Sequence, residues 1–270
     1  MTQRLAGKIA LVTGIGAGIG RGCALVFARH GATVVGCDID PVTAQSTVES
    51  ARAEGLQIEC LHPCDLTNPP DAQRYVDYAA ARHGRIDVLV NAAAIAPHFA
   101  KTADMDYHKE WSPTMVGEVD IVFLVCKAAW PYMLKSSCAS IINFASVAAF
   151  RASPNFGMVA HCAGKAAVLG MTRQLALEGG PAIRANTISP GMIVTAATQS
   201  VGATEGRVRD AILANVPMKR LGQPDVKLKS CETCPCTANV RQAPVRPRRG
   251  CTRRARRRRA AGRQHGRQEI

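Results

Sequence analysis

Along the chain to about residue 190, short β-branched or aliphatic runs alternate with longer amphipathic segments. That alternation predicts a parallel sheet whose crossovers are helices. The strands fall at Lys8–Thr13, Thr33–Cys37, Gln57–Leu61, Val88–Asn91, Ser140–Phe144 and Ile183–Ser189, with helices near 19–30, 41–54, 71–83, 111–136 and 157–178. Gly31, Gly55 and Gly84 follow the first three helices as left-handed stops, and Asp40-Pro41 gives the second a cap and a first-turn proline. Six βα units in this order predict a doubly wound α/β fold, in which ligands bind beyond the carboxyl ends of the strands. The alternation stops after Val226, so the last strand and helix of such a sheet are expected to be missing.

The turn after the first strand reads Thr13-Gly14-Ile15-Gly16-Ala17-Gly18-Ile19-Gly20 and opens a helix. A glycine-rich turn in this place lets the backbone approach a diphosphate at the helix N-terminus, so Gly14, Gly16, Gly18, Ile19 and Gly20 are the expected cofactor-binding residues. Asp38, at the end of the second strand, is placed to accept hydrogen bonds from both ribose hydroxyls and to repel a 2′-phosphate, which favours NAD(H) over NADP(H). Capping of the next turn is the plainer role for Asp38. Asp65-Leu66, after the third strand, lies where an adenine would sit, although a loop aspartate also caps helices.

Charge changes the picture only at the C-terminal end. Residues 226–270 carry 14 Lys and Arg against Glu232 and Glu269, a net of +12 out of the total of +14, which leaves the preceding part at +2. The chain therefore divides into a nearly neutral domain, 1–225, and an Arg-rich tail, 226–270, which has no apolar periodicity and is expected to be disordered. The tail has no aromatic residues for base stacking, so any nucleic-acid contact would be nonspecific and salt-sensitive. Its abrupt Arg/Pro/Cys composition reads as translation in another frame. Cys231, Cys234, Cys236 and Cys251 lack the paired module of a zinc site, and the other seven cysteines show no ligand spacing, so no metal is expected. With neither a signal segment nor a membrane-length apolar stretch, the expectation is a soluble cytoplasmic protein with no membrane partner.

These residues, with Asp87-Val-Leu-Val-Asn91-Ala-Ala-Ala94, Phe144-Ala-Ser146, His161-Cys-Ala-Gly-Lys165 and Ile188-Ser-Pro190-Gly191, resemble the short-chain dehydrogenase/reductase family from about Leu5 to Asp225. The resemblance implies a Rossmann-type fold, a nicotinamide cofactor, a small-molecule alcohol or carbonyl substrate, and a homo-oligomer. It also implies roles for particular positions. Ser146 holds the substrate oxygen, Lys165 binds the nicotinamide ribose, Asn91 contacts the sheet or cofactor, and Pro190, Gly191 and Thr195 hold the carboxamide end.

Three positions depart from the family pattern. His161 stands where the family has the catalytic tyrosine, Glu118 where it has an asparagine, and Ala94 where it has a glycine that leaves room beside the nicotinamide. Imidazole has a reference pKa of about 6.5 against about 10 for a phenol. It accepts a proton at neutral pH but supplies no phenolate. The leading expectation is an NAD-dependent oxidoreductase interconverting a secondary alcohol and a ketone, with Ser146, His161, Lys165 and Glu118 in the catalytic positions. The alternative is a dinucleotide-binding protein with impaired catalysis. The segment Met192 to Val216, read as a loop lining the pocket, carries no code for the substrate.

Overall fold

A computed structural model describes residues 3–96, 98–152 and 157–224. The strands are β1 (Ile9–Thr13), β2 (Thr33–Cys37), β3 (Ile58–Leu61), β4 (Val88–Asn91), β5 (Ala139–Phe144) and β6 (Ile183–Ile188). They form one parallel sheet in the order β3-β2-β1-β4-β5-β6. The order reverses between β1 and β4, which creates a crevice at the carboxyl ends of these two strands.

The helices are α1 (Gly18–Arg29), α2 (Pro41–Ala53), α3 (Pro69–His83), α4 (Ser112–Met115), α5 (Ile121–Met133), α6 (Val159–Gly179), α7 (Ala196–Ser200) and α8 (Gly206–Ala214). β1 shows why the sheet is covered on both faces. Ile9 and Leu11 enter a core with Tyr75 and Val76 of α3, Val125 and Met133 of α5 and Val168 of α6. Ala10 and Val12 enter a second core with Ala24 and Phe27 of α1 and Ala51 of α2. Alternate side chains thus feed opposite apolar layers.

The predicted boundaries hold to within a residue or two, except around the fourth helix and the segment after β6. The fourth helix begins earlier, with a wide π turn at Tyr107–Trp111 ahead of α4 and a second at Val116–Asp120 ahead of α5. Asp106 starts it by accepting from His108 N and Lys109 N at 2.9 and 2.7 Å. The expected loop from Met192 to Val216 contains α7 and α8, two short helices with no buried residue.

β5 is buried along its whole length, whereas Arg184–Ile188 of β6 are only half buried, and no seventh strand follows among the described residues. The Arg-rich segment and its four cysteines lie outside those residues. No helix among the described residues is long and apolar enough to cross a membrane, and no cluster among them could hold a metal ion.

Candidate active site

The glycine-rich turn is built from below. Ile15 is fully buried, and Gly36 of β2 makes room for it, since a side chain there would strike Ile15. The Ile15 carbonyl accepts the Thr47 hydroxyl of α2 at 2.8 Å. Gly14 has φ +71, and an added Cβ would lie 2.8 Å from the Ala93 Cα, so both backbone shape and close approach require glycine there. α1 starts from Ala17, which has no side-chain acceptor, and its first turn has no acidic residue. Its leading N–H groups therefore have no capping side chain, and the positive end of the helix faces the crevice. This donor set fits a diphosphate.

Asp38 closes the turn from the β2 side. Its Oδ2 accepts from Gly16 N at 2.7 Å and its Oδ1 from Asp40 N at 3.0 Å, while Asp40 caps α2 through Val42 N at 2.9 Å. Asp65 accepts from the Thr67 N–H and hydroxyl at 3.0 and 2.7 Å, which shapes the loop beside Leu66. Thr13 joins the two strands that flank the crevice: its hydroxyl accepts from Ala92 N and Ala93 N, both at 3.0 Å. Thr195 lies against Gly18, where an added Cβ would be 3.3 Å from its methyl carbon, and it caps α7 through Thr198.

On the other side of the crevice, Ser146 ends β5. Its hydroxyl oxygen accepts from Ala148 N at 3.1 Å, and Val147 N donates to Pro190 O at 2.9 Å, so Ser146 and the Pro190-Gly191 turn are neighbours. Lys165 of α6 is buried, with Nζ 3.5 Å from Phe144 O beside the same strand end. Burial holds its ammonium below the ordinary lysine value, partly opposed by the negative charge of Glu118.

His161 stands one turn before Lys165 on the same helix face. Its Nδ1 is 2.6 Å from Glu118 Oε1, and Glu118 is 1% exposed. The π turn at Val116–Asp120 carries this carboxylate inward, as such turns do at many sites. Gly164 leaves the space for it, since a Cβ there would come within 2.8 Å of Glu118 Oε2. An ionised carboxylate only accepts, so in a neutral imidazole bonded to it the proton sits on Nδ1 and Nε2 is left as the acceptor. Glu118 Oε2 is buried and has no protein hydrogen-bond partner.

The family model described as Enoyl-(Acyl carrier protein) reductase matches residues 14–228. The chain belongs to the short-chain dehydrogenase/reductase family. It is 33% identical over 224 residues to a 3-oxoacyl-(acyl-carrier-protein) reductase of Thermotoga maritima, covering 83% of this chain and 88% of that protein. It is 34% identical over 228 residues to a D-threitol dehydrogenase of Mycolicibacterium smegmatis, covering 82% and 83%. A 7α-hydroxysteroid dehydrogenase solved with NADH and 7-oxo glycochenodeoxycholic acid is similar with a TM-score of 0.78 and 31% identity over 86% of this chain and 88% of the other. Members of this family are oxidoreductases that bind a nicotinamide dinucleotide and small-molecule substrates, and they commonly form oligomers.

The fold thus gathers the sequence-predicted residues on the two banks of one crevice: Gly14, Gly16, Gly18, Ile19, Gly20 and Asp38 on one, and Ser146, Glu118, His161 and Lys165 on the other. Asn91 lies in the floor. Its amide nitrogen donates to Asn143 Oδ1 at 2.8 Å, and Asn143 in turn donates to the Thr172 hydroxyl at 2.9 Å. Ala94 is exposed and does not take a left-handed backbone, so it replaces glycine without backbone strain.

Sequence reasoning missed Thr13, Thr47, Asn143 and Thr172, which act through these residues. Only Thr13, at a strand end, carried a local signal. The cysteines among the described residues are free thiols. Burial, aided by the nearby charges of Asp38 and Cys64, pushes Cys60 up to about 12, and burial, partly opposed by the Asn91 amide, takes Cys126 to about 12, so both remain protonated.

Proposed function

We propose that this chain is an NAD(H)-dependent oxidoreductase that interconverts a secondary alcohol and a ketone by hydride transfer, with His161 as its acid/base. The observation that carries the reading is the 2.6 Å contact of His161 Nδ1 with the buried Glu118 carboxylate, one turn from Lys165. A base whose second nitrogen is held by a carboxylate has a fixed tautomer and orientation, which is the requirement for general acid/base work.

Bound NAD supplies the hydride acceptor, and NADH the donor in the reverse direction. The protein does the rest. Ser146 donates its hydroxyl proton to the substrate oxygen. As the alcohol is oxidised, its hydroxyl proton moves to His161 Nε2, and the Nδ1 bond to Glu118 stabilises the imidazolium that results. Lys165 binds the nicotinamide ribose, and the Pro190, Gly191 and Thr195 turn holds the carboxamide. On the opposite bank the glycine turn, with Ile19, binds the diphosphate and Asn91 lines the floor. Asp38 takes the adenosine ribose hydroxyls, and its charge beside Gly16 disfavours a 2′-phosphate, which supports NAD over NADP. Asp65 and Leu66 border the adenine. A cytoplasmic homo-oligomer completes the reading.

The replacement of phenol by imidazole at 161 favours a second reading, a dinucleotide-binding protein with impaired turnover. The two are separated by measuring NADH binding together with NADH formation over a panel of secondary alcohols. Binding with turnover supports the first reading, binding without turnover the second, and the absence of binding rejects both.

A further inference from the structure

His98 lies in the connection between β4 and the long helix, and its Nδ1 is 3.0 Å from the Thr114 hydroxyl oxygen. Thr114 is fully buried and gives its single hydroxyl proton to Glu110 O at 2.6 Å. It therefore accepts from the imidazole, so in the neutral ring the proton of His98 sits on Nδ1 and Nε2 is left as an acceptor. Thr114 of α4 is four residues before Glu118 of the following π turn, so the two stand about one turn apart along the long helix.

The long helix thus grips two imidazoles by Nδ1, about one turn apart: His161 through Glu118 and His98 through Thr114. Backbone packing brings the same two segments together. Ala100 forms a bridge with Met158, and a Cβ at Gly157 would strike the Ala100 backbone. The stretch that carries His98 therefore lies on the chain entering α6, just ahead of His161.

We propose that His98 is a specificity-determining residue whose Nε2 takes a hydrogen bond from a substrate hydroxyl a few bonds away from the reacting carbon, so that the enzyme selects diols and polyols over simple alcohols. The proposal rests on the reading of His161 as the acid/base.

The test compares butane-1,3-diol with butan-2-ol, which differ by one terminal hydroxyl, in the intact protein and in His98→Ala. The ratio of kcat/KM for the diol to that for the alcohol should fall roughly three- to tenfold in His98→Ala, the size of one neutral hydrogen bond, through KM rather than kcat. An unchanged ratio, including an equal loss with both compounds, overturns the proposal. A second readout does not depend on hydride transfer: in the presence of NADH, the His98 ring resonances, assigned by their loss in His98→Ala, should shift on titration with the diol and stay in place with butan-2-ol. Equal shifts, or none, overturn the proposal. A diol-specific shift without NADH formation from any alcohol leaves the role of His98 standing and rejects that of His161.

Discussion

The two banks of the crevice are held by different constraints. On the glycine bank the requirement is geometric: at Gly14 the φ of +71 and the 2.8 Å approach to Ala93 exclude any other residue. On the catalytic bank the requirement is chemical. His161 Nδ1 meets Glu118 Oε1 at 2.6 Å across the π turn of the long helix, in the space that Gly164 leaves, while Glu118 Oε2 has no protein partner. A backbone-determined site advertises its function in sequence and tolerates little change. A side-chain-determined site can exchange its reacting groups while the scaffold remains.

The sharpest test of this contrast is Gly14→Ala. A left-handed backbone combined with a backbone clash should cost about 3 kcal/mol of stability. Dinucleotide binding should be lost as well. Thermal unfolding and NADH fluorescence titration check both, and a variant of normal stability and affinity would abolish the distinction between the banks.

The catalytic bank should show the converse. His161→Ala is expected to lower kcat about 10²-fold or more, the usual contribution of a general base. Glu118→Gln, which keeps the shape but loses the charge, is expected to lower it roughly 10- to 100-fold. Neither should alter unfolding as Gly14→Ala does. Equal losses of stability would mean that the pair is part of the scaffold.

A smaller effect is expected at the rim of the glycine bank. Asp38→Ala should narrow the preference for NADH over NADPH roughly tenfold, about one pKa unit's worth of charge interaction. Parallel titrations with the two cofactors read it, and equal affinities in the unaltered protein would sink the assignment.

The smallest effect comes from Asp87, just before β4 at the amino ends of the strands, and controls for the others. Burial acts to raise its pKa but is outweighed by the Ser136 hydroxyl, the Ile9 N–H and the charges of Arg85 and Lys8, so the carboxyl lies below its ordinary value. Its stabilisation is then complete above the unfolded carboxylate value of about 3.9 and is lost as pH falls below it toward the folded value. Asp87→Asn should flatten acid unfolding in that window by a fraction of a pH unit at the midpoint. An acid-unfolding curve identical to that of the parent would contradict this.

The strands were legible because buried parallel strands are short, mostly apolar runs, as Ile9–Thr13 and Val88–Asn91 are. The glycine turn and Asp38 were legible because they follow those runs at fixed offsets. α7 and α8 were not, since α7 is little more than one exposed turn and α8 is short with no buried residue. Glu118 was found by counting along the helix, but its bond to His161 spans 43 residues and needs both the π turn and Gly164. The His98–Thr114 pair gave no signal at all, because it depends on how the β4 connection folds back over α6.

The strand order also sets the kinetics of assembly. β1 pairs with β2 across 24 residues, as Ile9 does with Thr33, but it reaches β4 only by joining Leu11 to Leu89, the largest separation in the sheet. Closing so long a loop carries the greatest entropic cost before any contact rewards it, and such closures slow folding. The slowest seam to form therefore runs along the floor of the crevice, sewn by Thr13 to Ala92 and Ala93. A dinucleotide spanning both banks would brace that seam and slow its reopening, so cofactor supply would set the lifetime of the folded chain as well as its turnover.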